Sequence, residues 1–323
     1  MYYYDQLFSK IQDKAEPQKL SNNWSPITVM QVSKGAQELI NPLDINRDRQ
    51  DKKELEDEEE NLIPREVAEE VFNVINRICD EIYDRDPNQI EYVKRFAEFR
   101  QIDADILLQN HCFYCTNPNY MEIKFADLNV YREIYHISTA QNTLWKQRFI
   151  FPIRDFYGRV YGFVGYDKFS NAKYVEYSNP VYKACKIKAL GLDKENIKHI
   201  LSNKYCIFTE GVMDYYRGRQ CGFPIIANLG VKFNPLLKYL IDRLDVVFVA
   251  YDNDEAGMKN RKILDSYHHR CHHIVFKPKK TEDGKEIKID LDEALKLKAN
   301  YERLKNEINL RLKHPLKLGE IVI

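Results

Sequence analysis

Six acidic side chains in this 323-residue chain have types and spacings that could hold metal ions. Glu210 follows the run KYCIFT (204–209), and Asp214 comes four positions later. Asp252 and Asp254 close the run VVFVAYD (246–252). Asp290 and Asp292 follow HHIVFK (272–277) across a polar loop. Acidic groups gathered in one place repel one another, so the set is costly unless a cation fills it. Hard divalent cations with oxygen ligands suit it. Mg²⁺ keeps several waters and bridges substrate phosphates, and Mn²⁺ accepts the same donors. The candidate ligands, for two or more ions, are Glu210, Asp214, Asp252, Asp254, Asp290 and Asp292, with Glu210, Asp252 and Asp254 closest to the chemistry. A lone acidic pair at a loop is more often a turn or a helix cap. Three such pairs inside 204–292 favour the metal.

These carboxylates need elements to position them. KYCIFT, VVFVAYD and HHIVFK are β-branched and aromatic runs of strand length. VMDYYRGR (212–219), NPLLKYLIDRL (234–244) and EAGMKNRKILDSY (255–267) are helix-like segments between and beyond them. Strands alternating with helices predict parallel βαβ units. Ligands of such sheets lie outside the carboxyl ends of the strands, where these acids fall. Asp214, one turn into its helix, can face the same point as Glu210. The expected class is α/β: a parallel sheet with helices on both faces, preceded by a mixed α+β basic subdomain and a helical N-terminal region.

EGVMD (210–214), LG (229–230), YDNDEAG (251–257) and DLDEAL (290–295) resemble the Toprim domain of bacterial and phage DNA primases of the DnaG type. FPIRDFYGRVYGFVG (151–165), KY (173–174), SNP (178–180) and LGL (190–192) resemble the companion subdomain of those primases, a block that other Toprim enzymes lack. The resemblance runs over roughly residues 90–300. It implies a DNA-directed RNA polymerase that makes short RNA primers on single-stranded DNA from ribonucleoside triphosphates. On that reading Glu210 helps hold a metal that activates a ribonucleotide 3′-hydroxyl, or acts itself as general base. Asp252, Asp254, Asp290 and Asp292 hold a metal that neutralises the triphosphate. A Toprim nuclease and a non-catalytic nucleic-acid-binding replication subunit are the alternatives. The family often has Arg where Tyr166 stands.

Bacterial primases usually carry an N-terminal zinc-binding domain, but residues 1–62 contain neither Cys nor His. Little chain follows Leu295 to form a helicase-binding domain. The expectation is a catalytic core alone, served by a replicative helicase or by a separate zinc-bearing partner. Zinc is not expected within the chain. Cys112 and Cys115 form a C-x-x-C that His268, His269, Cys271, His272 and His273 could complete, yet no second C-x-x-C exists and HHIVF reads as a packed strand.

With 49 basic and 49 acidic residues the chain has no net charge, so any case for nucleic acid rests on charge distribution. Residues 131–204 hold thirteen Lys and Arg against six Asp and Glu, interleaved with Trp145, Phe149, Phe151, Phe156, Tyr157, Tyr161, Phe163, Tyr166 and Tyr174. The strands RFIFPIRD and RVYGFVGYD flank a hairpin turn at Phe156–Tyr157–Gly158, and Phe149, Phe151 and Phe163 are expected in the core. Arg154, Arg159, Lys173, Lys183 and Lys186 are the candidate contacts to template and nucleotide phosphates. Seven scattered cysteines indicate reduced thiols in a cytoplasm. No membrane span or signal peptide is expected. The abundant Tyr, Asn, Lys and Ile suit a phage or low-GC genome.

Four segments follow. Residues 1–62 are an extension, with eight acidic and four basic side chains over 45–60. Residues 63–200 are a helical and mixed subdomain, in which PREVAEEVFNVINRICDEIYD, NQIEYVKRFAEFR and DADILLQN are predicted helices. The resemblance makes residues 201–300 the expected Toprim domain, with 301–323 expected as a helical tail.

Overall fold

Two sheets organise the chain, joined by one helix that is buried between them. The computed structural model describes residues 87–115, 147–158, 160–178, 189–229, 237–252, 254–280, 283–284, 286–314 and 319–323. All belong to the compact unit Pro64–Ile323. In chain order the elements are α1 (Gln89–Arg100), α2 (Ala104–Gln109), β1 (Phe113–Tyr114), β2 (Phe149–Arg154), β3 (Val160–Tyr166), β4 (Tyr174–Ser178), β5 (Ala189–Leu190) and α3 (Lys194–Asn203). There follow β6 (Tyr205–Thr209), α4 (Val212–Gln220), β7 (Ile225–Asn228), α5 (Lys238–Ile241), β8 (Val246–Val249), α6 (Glu255–Tyr267) and β9 (Cys271–Val275). The chain closes with β10 (Lys279–Lys280), β11 (Glu286–Ile287), α7 (Leu291–Leu295), α8 (Lys298–Lys313) and β12 (Ile321–Val322).

The first sheet is antiparallel, in the order β1-β2-β3-β4. Its centre is the expected hairpin. Asp155 shapes the turn, accepting from the Tyr157 amide with its side chain and from the Gly158 amide with its carbonyl. Register shifts at Ile153/Arg154, a bulge that follows from the odd residue count of the turn. Helix α1 packs onto this sheet through Phe96, whose ring stacks on Phe149 with centroids 3.7 Å apart and meets Phe151 edge-on. Phe149, Phe151 and Phe163 are buried, as their strand pattern predicts.

The second sheet has the order β12-β9-β8-β6-β7-β5. All its pairs are parallel except β5 with β7. Strands β6, β7 and β8 are buried along their whole length, which is why they read as unbroken apolar runs rather than alternating ones. From β6 the chain steps to β7 on one side, then returns to β8 on the other. The strand order therefore reverses between β6 and β8, the place where parallel sheets open a crevice for ligands.

Helix α4 is buried from Val212 through Gly218, and Tyr216 reaches back to Phe151 of the first sheet at 5.3 Å between centroids. Gly218 lets the helix sit close to β7, since a Cβ there would lie 2.5 Å from Ile225 Cδ1 and push that side chain aside. A buried Asn196 ties the two halves of this region: its Nδ2 donates to the carbonyls of Gly191 and Ile225, each at 2.7 Å. Of the expected helices, the one over residues 64–84 lies outside the described part. The one expected over 234–244 is described only as α5, with 230–236 outside. Strands β5, β7 and β12 were not foreseen. No helix among the described residues is long and apolar enough to cross a membrane.

Candidate active site

The six carboxylates fall at the carboxyl edge of the parallel sheet, and they form two layers. Glu210 leaves β6. Asp252 follows β8, Asp254 is the N-cap of α6, and Asp290 is the N-cap of α7. These four make the front layer. Each cap uses one oxygen: Asp254 Oδ1 accepts from the Gly257 amide and Asp290 Oδ1 from the Glu293 amide, both at 2.8 Å. Capping and ligation are compatible here, since the second oxygen of each remains for a cation.

Asp214 and Asp292 form the back layer, and both are fully engaged. Asp214 accepts from Thr209 Oγ1 at 3.0 Å and from the Asp292 amide at 2.9 Å, which pins the start of α7 to α4. Asp292 is wholly buried. Its Oδ1 accepts from Arg217 Nε at 2.8 Å, and its Oδ2 pairs with Arg100 Nη2. Arg217 also donates to the carbonyls of Gln101 and Arg100, so its guanidinium spans three elements. The sequence reading put Asp292 on a metal. The structure instead places its carboxylate between two arginines.

Two glycines make the close packing possible. A Cβ on Gly211 would come within 2.6 Å of Asp214 Oδ2, and one on Gly257 within 2.1 Å of the Asp252 carbonyl oxygen. The first allows the Asp214 carboxylate to fold over the loop after β6. The second brings the first turn of α6 against the loop after β8.

Electrostatics follow this geometry. Burial, with Asp252 and Asp254 nearby, pushes Glu210 up to about 7, while the Asn260 amide and Arg261, both on α6, oppose the shift. Asp252 rises through burial and through Asp254 and Asp290, with Lys288 and Arg261 opposing. Burial, then Asp290, carries Asp214 well above the usual carboxylate range. Glu210 and Asp252 thus hold their protons more tightly than free carboxyls do. Glu210 Oε1 is buried without a hydrogen-bond partner, and so are Nδ2 and Oδ1 of Asn260 on α6. An all-oxygen donor set with an orphaned carboxylate oxygen fits a hard divalent ion. Among the described residues, no three of the six carboxylates bring ligand atoms within 4.8 Å of one another; the group that does is Asp265, Cys271 and His273. Like charges facing one another keep the acidic layer open.

The basic candidates separate. Arg154 Nη1 donates to the Gly158 carbonyl at 2.7 Å, bracing the hairpin. Lys173 Nζ lies 5.8 Å from the Tyr166 ring and 5.6 Å from that of Tyr174. Arg159, Lys183 and Lys186 lie outside the described residues. Three surface groups escaped the sequence reading. Phe169 is 92 % exposed and Phe99 54 % exposed, and Lys168 Nζ lies 4.9 Å from the Phe99 ring and 5.9 Å from the Phe169 ring. With half-exposed Tyr174 they form an aromatic and cationic strip, the composition that stacks unpaired bases beside a phosphate track. Arg100 borders both regions: it pairs with Asp292, and its guanidinium carbon lies 5.8 Å from the ring of Tyr166, where the primase family often has Arg. Cys112 and Cys115 of the C-x-x-C are buried in the core, and Cys112 Sγ lies 3.4 Å from Tyr216 Oη.

No protein-family model matches the chain. Over 116 residues it is 34 % identical to a DNA primase of Borreliella burgdorferi, a match covering 35 % of this chain and 22 % of that one. Its fold is similar to that of the Aquifex aeolicus primase zinc-binding and RNA polymerase domains, at TM-score 0.55 and 23 % identity over 76 % of this chain and 61 % of that one. It is also similar to the Escherichia coli primase catalytic core, at TM-score 0.55 and 18 % identity over 76 % and 80 %. A DnaG primase catalytic domain bound to single-stranded DNA matches at TM-score 0.51 and 17 % identity over 75 % and 78 %.

Proposed function

We propose that this chain, which has the fold of the DnaG-type primase catalytic core, is a primase core that synthesises short RNA primers on single-stranded DNA by metal-dependent nucleotidyl transfer. The observation that carries the proposal is the front layer of Glu210, Asp252, Asp254 and Asp290 at the strand-order reversal, with a partnerless buried oxygen on Glu210. The relative of known sequence is matched over less than a quarter of its length, so activity, substrates and partners are all part of the proposal.

Bound Mg²⁺ or Mn²⁺ would supply charge neutralisation for the triphosphate and a lowered pKa for the attacking hydroxyl. Asp252, Asp254 and Asp290 are the residues placed to hold it, each with at least one carboxylate oxygen not used in capping. Glu210 is the proton acceptor. Its value near 7 matches general-base work at neutral pH, the proton taken being that of the ribonucleotide 3′-hydroxyl. That oxygen attacks the α-phosphorus of the incoming nucleotide, the bond to the β-phosphate oxygen breaks, and pyrophosphate leaves. Asp214 and Asp292 hold α7, and with it Asp290, against α4. Lys173, Lys168, Phe99, Phe169 and Tyr174 carry the template strand beside the acidic edge.

Incubating the chain with single-stranded DNA, labelled ribonucleotides and Mg²⁺ or Mn²⁺ tests this reading. New short oligoribonucleotides are the expected product. Shortened DNA without them would identify a nuclease instead, and binding with neither product would identify a replication subunit. A replicative helicase and a separate zinc-bearing protein are the partners to supply in that assay.

A further inference from the structure

Four of the eight histidines and one of the seven cysteines lie in the six residues His268–His273, a concentration that the acidic site does not use. In β9 side chains alternate. His272 and Ile274 turn into the core, and His272 packs near Phe248 with centroids 5.7 Å apart. Cys271 and His273 share the other face, toward the last turn of α6, where Asp265 stands. Asp265 Oδ1 lies 2.8 Å from His273 Nε2, and the ligand atoms of Asp265, Cys271 and His273 all fall within 4.8 Å of one another. Tetrahedral ligands around zinc at about 2.0–2.3 Å stand roughly 3.3–3.8 Å apart, so a small inward movement closes the set. His273 Nε2 is the nitrogen beside the Asp265 carboxylate, and its Nδ1 is buried with no hydrogen-bond partner.

We propose that Asp265, Cys271 and His273 form a binding site for one soft divalent cation of the zinc class, separate from the acidic site. A thiolate, an imidazole and a carboxylate select Zn²⁺ or Co²⁺ over Mg²⁺, whereas the all-oxygen front layer does the opposite. The two sites stand at opposite ends of α6. Asp254 caps its start and Asp265 lies eleven residues on, about 16 Å along the axis at 1.5 Å per residue. The Asp265 side chain is 47 % exposed, so water can enter and fill the fourth position. Cys271 gives up its thiol proton to the solvent on binding, and the ion bridges the last turn of α6 to the start of β9. His268 takes no part, because its Nε2 lies 3.1 Å from the Leu244 carbonyl oxygen and its Nδ1 accepts from the Arg270 amide. The site is independent of the reading of the acidic edge. The simpler alternative has no metal: Asp265 pairs with His273 and accepts from the Cys271 thiol, whose pKa burial and Asp265 push up, and the three together tie helix to strand.

Titrating the metal-stripped full chain with Co²⁺ distinguishes the two. A bound thiolate gives a sulfur-to-cobalt charge-transfer band in the near ultraviolet, and a tetrahedral site gives strong visible bands. One equivalent of Co²⁺ should develop both, stoichiometric Zn²⁺ should abolish them, and a large excess of Mg²⁺ should leave them unchanged. Cys271→Ser and His273→Gln should lose the bands, and Glu210→Gln should keep them. Asp265→Asn, at an exposed position where folding is not at stake, should weaken Co²⁺ binding at least about tenfold. An absent charge-transfer band, or one that survives Cys271→Ser and Asp265→Asn, overturns the site and leaves the ion pair.

Discussion

Glu210 and Asp292 show how two carboxylates in one site are put to different work. Glu210 is half-buried beside two other carboxylates, and Asp292 has exchanged water for two guanidinium groups. Replacing Glu210 by Gln keeps the shape and removes both charge and basicity. Primer synthesis should fall at least about a hundredfold, with DNA binding intact. Synthesis near the wild-type rate in a folded Glu210→Gln protein would remove that residue from the mechanism. The same group predicts a pH dependence. Its folded value near 7 lies above its ordinary 4.5, so the folded protein holds this proton more tightly than the unfolded chain. Its contribution to metal-free stability should therefore be full at low pH, decline between about 4.5 and 7, and level off above. Melting temperatures across pH 5 to 8 should show the decline in the wild type and a flatter profile in Glu210→Gln. Added Mg²⁺ should recover most of the loss above pH 7.

Arg217 carries the opposite lesson. Its side chain is 4 % exposed and Asp292 is 0 % exposed, so Arg217→Ala leaves a buried charge half-paired. A loss of about 3–5 kcal/mol in chemical unfolding is expected. Arg217→Lys should recover little of it, because the carbonyls of Gln101 and Arg100 need the fork of the guanidinium. Equal stability of the three proteins would show that Arg100 alone neutralises Asp292.

Among the elements, α6 is the one on which cap and ligand roles can be separated. Asp254→Asn keeps an acceptor for the Gly257 amide, so metal-free stability should change little while the melting response to Mg²⁺ weakens. Asp254→Ala should show the same weakened response and lose about 1 kcal/mol as well. An Asp254→Asn protein with the full Mg²⁺ response would make this residue a cap and nothing more. The ends of α6 were legible in the sequence, Glu255–Tyr267 being predicted to the residue, because Asp254 signals its start and the β-prone HHIVF bounds its end. Strands β6, β8 and β9 were legible within two or three residues at each end, because β-branched runs ending in acidic residues mark both strand and crevice. Strand β7 was missed: Ile225–Asn228 is four residues long and no acidic pair follows it. The arginines around Asp292 were beyond reading. Arg217 and Arg100 lie 75 and 192 positions away in the chain, and nothing local distinguishes them from solvated basic side chains.

For the molecule as a whole, zero net charge conceals a division of labour between an acidic edge and an excess of seven positive charges over residues 131–204. Affinity for single-stranded DNA should fall with salt, at a slope of roughly −0.7 per neutralised phosphate. Lys168→Ala and Lys173→Ala should each flatten that slope by about one such increment, and Phe169→Ala should lower affinity at unchanged slope. Arg154→Ala should do neither and should lower the melting temperature, since its guanidinium serves the Gly158 carbonyl. A slope unchanged in both lysine variants would send the template along another path.

The Arg100–Asp292 pair also bears on how the protein is made. It closes a span of 192 residues, and Arg217–Asp292 closes one of 75. On the ribosome the sheet strands up to β9 are all available before residue 292 has been added, but neither arginine has its counter-ion and Asp214 has no amide to accept from. The nascent chain can assemble its hydrophobic layers early, yet its acidic edge stays unlocked until α7 emerges. Synthesis thus withholds the reactive geometry until α7 has been added.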